Sequence, residues 1–183
     1  MLFTCWRGGA FRVLRETATS TTAPAMTTRT EECADPLGLC DGYPDLQLLD
    51  CIKRSRRREV YRAVSKKYGP CIVKATTSTP TQVEVKLLRN EFGKLRMCSS
   101  ANIVSAHDLY QRESSLGAAL VTEDCGLSLR SWAKNQPSPP SLETILDIGL
   151  QIAEGLDNLH RVARLIHGDI NPNNVSYDEA TKK

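Results

Sequence analysis

Several features that would identify a membrane or disulfide-bonded protein are missing from this sequence. No apolar run approaches the ~18 residues that a membrane-spanning helix needs, so no membrane span is expected. The seven cysteines are odd in number and scattered, and no two are spaced as C-x-x-C. The sequence therefore predicts neither a disulfide framework nor a zinc site. It predicts reduced cysteine thiols in the cytoplasm.

The sequence also lacks a strong excess of either charge and any internal repeat. The net charge of +3 is too small to indicate nucleic acid as a partner. With 40% hydrophobic and 25% charged residues, the composition is typical of a soluble globular protein. A length of 183 residues fits one ordinary domain.

Residues 1–45 have no sustained hydrophobic period, which predicts a flexible leader. Residues 1–30 contain four arginines, one acidic residue and many Ser, Thr and Ala. Organellar transit peptides and plain disordered leaders share this composition, so both interpretations stay open.

From Leu46 onward the pattern indicates regular structure. Two β-prone runs, 59–64 and 71–76, flank S-K-K-Y-G-P and predict a hairpin. Thr81 and Glu84 form a capping box at the start of a helix. Its apolar stripe is expected to comprise Val83, Leu87, Leu88, Phe92 and Leu95.

The second half of the chain predicts two more strands and a long helix. The strands lie in N-I-V-S-A-H-D-L-Y-Q and G-A-A-L-V-T-E-D-C, and Ser141 is the candidate cap of the helix. The expected buried stripe of this helix comprises Leu142, Ile145, Leu146, Ile152, Leu156 and Leu159. A small sheet with one helix, followed by a helical part, predicts an α+β fold.

Two charged residues interrupt these apolar patterns. Lys74 lies inside the short apolar strand C-I-V-K-A-T, where an unpaired ammonium would be costly. Glu91 lies within or beside the apolar stripe of the helix that follows. Because a cation and a carboxylate can satisfy one another, the two are predicted to pair, leaving Lys74 able to contact an anionic ligand.

A polar segment, H-G-D-I-N-P-N-N, follows the long helix. Asn, Asp, Gly and Pro are ordinary turn residues, which favours a surface loop. The alternative is that Asp169 is a proton acceptor and Asn174, five residues later, is a metal ligand. His167 is interpreted as a hydrogen-bonding residue of the loop rather than a catalyst.

Together, C-I-V-K, N-E-F-G-K-L, L-V-T-E-D-C and I-H-G-D-I-N-P-N-N resemble motifs of the eukaryotic-type protein kinase family. The resemblance covers roughly residues 46–183. It implies a small β-rich lobe with one helix and a hinge over 46–125. The beginning of a helical lobe, through the catalytic loop, would occupy 126–183. Within the family, the loop H-G-D-I-N-P-N-N of this chain also resembles the H-x-D-I-N-P-S-N loops of kinase-like domains at the front of large sensor proteins with histidine-kinase modules.

The resemblance implies a serine/threonine kinase-like domain, with ATP and magnesium as cofactors and a protein hydroxyl, of unknown identity, as acceptor. Lys74, paired with Glu91, would contact the α- and β-phosphates, and Asp169 would be the base. Asn174 would bind magnesium. In the segment matching the hinge, Thr122 would be the gatekeeper. The main chain of Glu123 and Cys125 would form hydrogen bonds with the adenine.

The sequence departs from the family in three places. Val60 and Tyr61 close the stretch that should be glycine-rich, but Lys53, Ser55 and Arg58 occupy the three glycine positions, where side chains obstruct phosphates. The five basic residues within 53–58 suggest binding of phosphate by charge instead, or a solvated basic hairpin. In the loop, Gly168 lies where the family usually has an arginine, and Asn171 lies where it commonly has a lysine.

No D-F-G follows the loop, so the chain is expected to be truncated after it, as an incomplete copy or gene fragment, with little activity alone. Two other interpretations stay open: a pseudokinase that serves as a binding module, and a small-molecule kinase of the aminoglycoside or choline type. With its lobe incomplete, the helix over 141–160 is expected to need a partner that covers its apolar stripe.

Overall fold

The computed structural model describes residues 4–5, 11–14, 45–77, 79–111 and 117–178. They form two compact units. Of the described residues, 45–77, 79–92, 106–111 and 117–124 belong to the sheet unit, and 4–5, 11–14, 93–105 and 125–178 belong to the helical unit. The division of the chain at residues 45 and 125 that the sequence suggested stays a prediction.

The sheet unit contains a five-stranded antiparallel sheet. Its strands are β3 (Leu46–Arg54), β4 (Arg58–Ser65), β5 (Gly69–Thr76), β6 (Ala106–Gln111) and β7 (Ala118–Glu123). Their order in the sheet is β3-β4-β5-β7-β6. The predicted hairpin between β4 and β5 is confirmed, with Ser65 opposite Gly69. Gly69 has φ +73°, a conformation that glycine adopts without steric cost at this turn. The predicted α+β fold is confirmed.

One face of this sheet forms a hydrophobic core. Alternate residues of β4 and β5 point to it, as strand geometry requires. Its buried members are Leu46, Leu48, Tyr61, Ala63, Cys71, Val73, Ala75, Ala119 and Val121. The intervening residues of β4 and β5, among them Val60 and Lys74, therefore point to the opposite face.

Helix α1 (Gln82–Arg96) begins at the predicted capping box. The Thr81 N–H donates to Glu84 Oε2 at 2.8 Å, and the Glu84 N–H donates to Thr81 Oγ1 at 3.3 Å. These reciprocal bonds satisfy two N–H groups that have no partner inside the helix.

The predicted apolar stripe of α1 is wrong in part. Leu88 and Leu95 are buried, but Val83 is exposed and Leu87 is 44% exposed. The buried face instead contains Val85, three residues before Leu88, so it follows the spacing 85, 88, 92 and 95 of one helix face. Val83 and Leu87 are four residues apart and therefore share a face, and this face is the exposed one.

The helical unit contains α2 (Leu129–Asn135) and α3 (Leu142–Arg161) with short strands β8 (Leu127–Ser128), β9 (Leu165–Ile166) and β10 (Val175–Asp178). Ser141 caps α3 as predicted, accepting the N–H of Thr144. Trp132 of α2 and Tyr177 of β10 are buried with ring centroids 4.5 Å apart. Along the described part of the chain, every helix is too short or too polar to cross a bilayer.

The stripe of α3 is only partly buried. Leu159 is fully buried and Ile152 and Leu156 are half-buried, but Leu142, Ile145 and Leu146 are 52–71% exposed. The buried positions missed by the periodicity are Ile148, Gln151 and Gly155. A partner that covers the exposed part of this helix stays a prediction.

Two short strands lie in the segment that was expected to be a flexible leader. β1 (Thr4–Cys5) pairs in parallel with β9, and β2 (Phe11–Leu14) pairs in parallel with β10. At these six residues the structure has strands, because their backbone groups pair with strands that follow α3, and a flexible leader over 1–45 stays a prediction. Apart from Asp45, the rest of the leader, including most of the transit-peptide candidate, lies outside the described residues.

The burial pattern of α1 predicts unequal effects of two leucine truncations. Leu88→Ala removes a fully buried side chain and should lower the free energy of unfolding by about 2–5 kcal/mol. Leu87→Ala, one residue earlier, should cost about 1 kcal/mol or less. Chemical denaturation of both variants checks this, and equal losses would contradict the orientation of α1.

A second prediction concerns alkaline pH. Burial, and then the hydrogen bond from the Tyr61 hydroxyl to Glu59 Oε2 at 2.6 Å, raise the pKa of Tyr61 above its usual 10.0. Because the folded state keeps this proton longer than the unfolded state does, stability is retained below about pH 10 and falls above it. Tyr61→Phe should make stability fall less steeply there. Parallel pH profiles of the free energy of unfolding would show that Tyr61 does not contribute.

Candidate functional site

In the sheet unit, Lys74 of β5 lies on the face opposite the hydrophobic core. Val60 of β4 is its register partner on one side, and Leu120 of β7 is its partner on the other. The Lys74 side chain is 17% exposed, so its ammonium group is largely desolvated. A cation in that environment requires a counter-charge.

Glu91 of α1 supplies that counter-charge, as predicted. Its carboxylate is 2% exposed, and Lys74 Nζ lies 2.7 Å from Oε1. A second cation was not predicted: Arg58 Nη1 lies 3.0 Å from Oε2, with the arginine side chain 28% exposed. Each oxygen of one buried carboxylate is therefore bound by a different cation.

Arg58 begins β4 just after the turn that follows β3, in the stretch where the resemblance placed the glycine-rich loop. The Ser55 N–H donates to the Arg58 carbonyl at 2.9 Å, and the Arg58 N–H donates to Ser55 Oγ at 3.1 Å. The turn is thus closed by hydrogen bonds between these two residues. Strand alternation puts Arg58, Val60 and Lys74 on one face of the sheet.

The candidate hinge residues lie where β7 ends. Thr122 is buried and pairs with Ile72 of β5, and Glu123 is half-buried opposite Cys71. Cys125 is buried and belongs to the helical unit. Their predicted role as main-chain partners of an adenine stays a prediction.

In the helical unit, the polar segment is a loop between β9 and β10. His167 is 1% exposed, and its Nδ1 accepts the Asp169 N–H at 3.2 Å. This contact agrees with the structural role expected for His167. Gly168 has φ +75°, which explains why a residue without a Cβ lies between them. The loop is also held to α2, since the Arg130 N–H donates to the Pro172 carbonyl at 2.9 Å.

The Asp169 carboxylate is held by two amides. Asn171 Nδ2 donates to Asp169 Oδ1, and Asn174 Nδ2 donates to Asp169 Oδ2, each at 3.0 Å. Both amides also bond the Asp169 carbonyl, at 3.2 and 2.9 Å. Because each carboxylate oxygen accepts a bond, the side chain has one preferred direction on an exposed loop. Asn171 was not predicted to take part.

The structure thus brings the predicted residues together in two pairs, Lys74 with Glu91 in the sheet unit and Asp169 with Asn174 in the helical unit. Sequence reasoning missed Arg58, although strand alternation from Val60 could have placed it on the Lys74 face. It also missed Asn171, which only the folded loop turns toward Asp169. Among the described residues, no group of three or more His, Cys, Asp and Glu side chains could hold a metal ion.

Comparison with known proteins identifies the family to which the chain is similar. Residues 46–182 match the family model described as protein tyrosine and serine/threonine kinase. The chain is also similar to serine/threonine-protein kinase 4 homolog B of Dictyostelium discoideum, with 26% identity over 145 residues. That match covers 79% of this chain and 13% of the relative.

Proposed function

Because the chain belongs to the protein tyrosine and serine/threonine kinase family, we propose that it binds ATP and serves transfer of the γ-phosphate to a protein hydroxyl. The observation that carries the proposal is the pairing of Lys74 with a buried Glu91 at 2.7 Å. This pairing is the one that the family uses to hold its phosphate-binding lysine.

The Lys74–Glu91 pair supports binding of an anionic ligand on the exposed side of the lysine. The carboxylate holds the ammonium at one place and orientation, so little side-chain freedom is lost when a phosphate binds. The low solvent exposure of the lysine also strengthens its attraction for phosphate oxygens. Lys74 is thereby assigned to the α- and β-phosphates. Val60, its neighbour on β4, would contribute apolar contact to the nucleotide.

Asp169 is the proposed acceptor of the substrate hydroxyl's proton. Phosphoryl transfer depends mainly on positioning and electrostatics, so the base must point in one direction before the acceptor arrives. Asn171 and Asn174 provide that orientation by bonding both carboxylate oxygens. The Asp169 side chain is exposed, which gives an acceptor hydroxyl access to it.

Asn174 fits the magnesium that the family uses. Its Nδ2 is committed to Asp169, which leaves the amide oxygen as a hard ligand of the kind that Mg²⁺ prefers. Bound magnesium neutralises charge on the phosphate oxygens. Magnesium sites of this class take one or two protein ligands and complete their shell with phosphate and water, so a large cluster of acidic residues is not required.

Adenine binding by the main chain of Glu123 and Cys125, an unidentified protein acceptor and a cytoplasmic location complete the proposal. Because the chain spans only 13% of the relative's length, the acceptor preference of that protein is not carried over. Binding of ATP without transfer, by the full-length gene product, would favour the pseudokinase interpretation instead.

Removal of the Lys74 ammonium should abolish nucleotide binding. ATP with magnesium at 100 times its Kd should stabilise the parent chain by about 2.7 kcal/mol, and Lys74→Met should show no such stabilisation. The matched control is Lys66→Met, which changes an exposed lysine in the β4–β5 turn and should keep the ATP effect. Thermal unfolding with and without ATP measures this. Equal stabilisation of the Lys74→Met variant and the parent would contradict the assignment.

Loss of the proposed base should separate transfer from binding. In the full-length gene product, Asp169→Ala should lower γ-phosphate transfer to a protein acceptor by about 10²–10⁴-fold. Its Kd for ATP should change little, because Asp169 acts on the acceptor. Asp157→Ala, which removes an exposed partner of Arg161 on α3, is the control and should keep the parent rate. Transfer at the parent rate by the Asp169→Ala variant would exclude Asp169 as the base.

A further inference from the structure

Two cations lie side by side at Glu91, since Lys74 and Arg58 each bind one oxygen of the same carboxylate. Both cations are largely withdrawn from solvent, at 17% and 28% exposure. Two like charges held this close repel each other more strongly than they would in water, and an anion placed beside them would relieve that repulsion.

Arg58 also differs from the other basic residues of the same hairpin. Arg54 Nε forms an ion pair with Glu59 Oε1 at 2.8 Å, and the Arg54 side chain is 61% exposed. Lys53, Arg56 and Arg57 are exposed and have no ion pair with any residue that the structure describes. Of the five, Arg58 is the one whose side chain reaches the Glu91 carboxylate that binds Lys74.

The chemistry of the guanidinium suits a phosphate group. Arginine has five N–H donors in a planar fork, and the contact with Glu91 Oε2 engages Nη1. The remaining donors can bind a second oxyanion, and the fork matches phosphate geometry with two parallel bonds. Hydrogen bonds to Ser55 fix the Arg58 backbone, and the bond to Glu91 Oε2 holds its guanidinium in place before a ligand binds.

We propose that Arg58 is a second phosphate-binding residue, which together with Lys74 holds the phosphate chain of the nucleotide. The inference rests on the proposed function, since it places the nucleotide at Lys74. In the family's glycine-rich stretch, backbone N–H groups approach the phosphates; in this chain a side chain supplies the donors instead. Glu91 then positions both cations, one on each of its oxygens.

The proposal predicts a binding defect that depends on the phosphates of the ligand. Arg58→Gln should weaken ATP about 10- to 100-fold, the effect expected for loss of hydrogen bonds to a charged group. Tripolyphosphate should weaken in parallel, whereas adenosine should be unaffected. Arg57→Gln removes a neighbouring exposed arginine and should change ATP binding less than about twofold. Arg58→Lys, which keeps the charge without the planar fork, should fall between Arg58→Gln and the parent.

Calorimetric titration of each variant with ATP, tripolyphosphate and adenosine decides the matter, and thermal unfolding without ligand shows that each is folded. Unchanged or tighter ATP binding by Arg58→Gln would overturn the proposal, because Arg58 would then only neutralise Glu91. An equal loss for adenosine would overturn it too, since the defect would then not lie at the phosphates. If Lys74→Met loses ATP while Arg58→Gln keeps it, the proposed function stands and this inference fails. If the parent binds tripolyphosphate but not ATP, the site is one for free polyphosphate and both proposals fail.

Discussion

The carboxylate of Glu91 is almost completely removed from water, and a cation binds each of its oxygens. Withdrawal of such a charge from solvent costs several kcal/mol, which only short, well-directed bonds can offset. Those bonds come from two neighbouring strands, so they tie α1 to β4 and β5 at once. A change in the pairing register of either strand by one residue would turn its cation to the opposite face. The ion cluster therefore depends on the register of the sheet.

The loop between β9 and β10 orients a carboxylate that is exposed to solvent, that of Asp169. Packing cannot do this on an exposed loop, so hydrogen bonds from neighbouring side chains take its place. Asn171 and Asn174 hold the two oxygens of Asp169, and a buried His167 accepts its N–H. The positive φ of Gly168 lets the backbone make the required turn. The turn-prone composition of the segment thus supplies the side chains and the backbone turn that orient the Asp169 carboxylate.

Sequence periodicity located α1 and α3 but predicted their buried faces only in part. Both helices carry apolar residues on more than one side, and a 3.6-residue period alone does not tell which side meets the protein. In α1 the buried side contains Val85 and Leu88, while Leu87 is exposed. Glu91 lies on that same buried side, where its carboxylate meets Lys74.

The sequence by itself determined the features that depend on neighbours along the chain. The capping box of Thr81 and Glu84, the β4–β5 hairpin and the α+β order of elements each follow from interactions over a few residues. The tertiary structure alone decided which residues meet over longer separations. Arg58 reaches Glu91 across 33 residues, and β1 and β2 pair with strands that follow α3. Such contacts depend on strand register and on which faces of the elements meet, and neither is written in any short stretch of sequence.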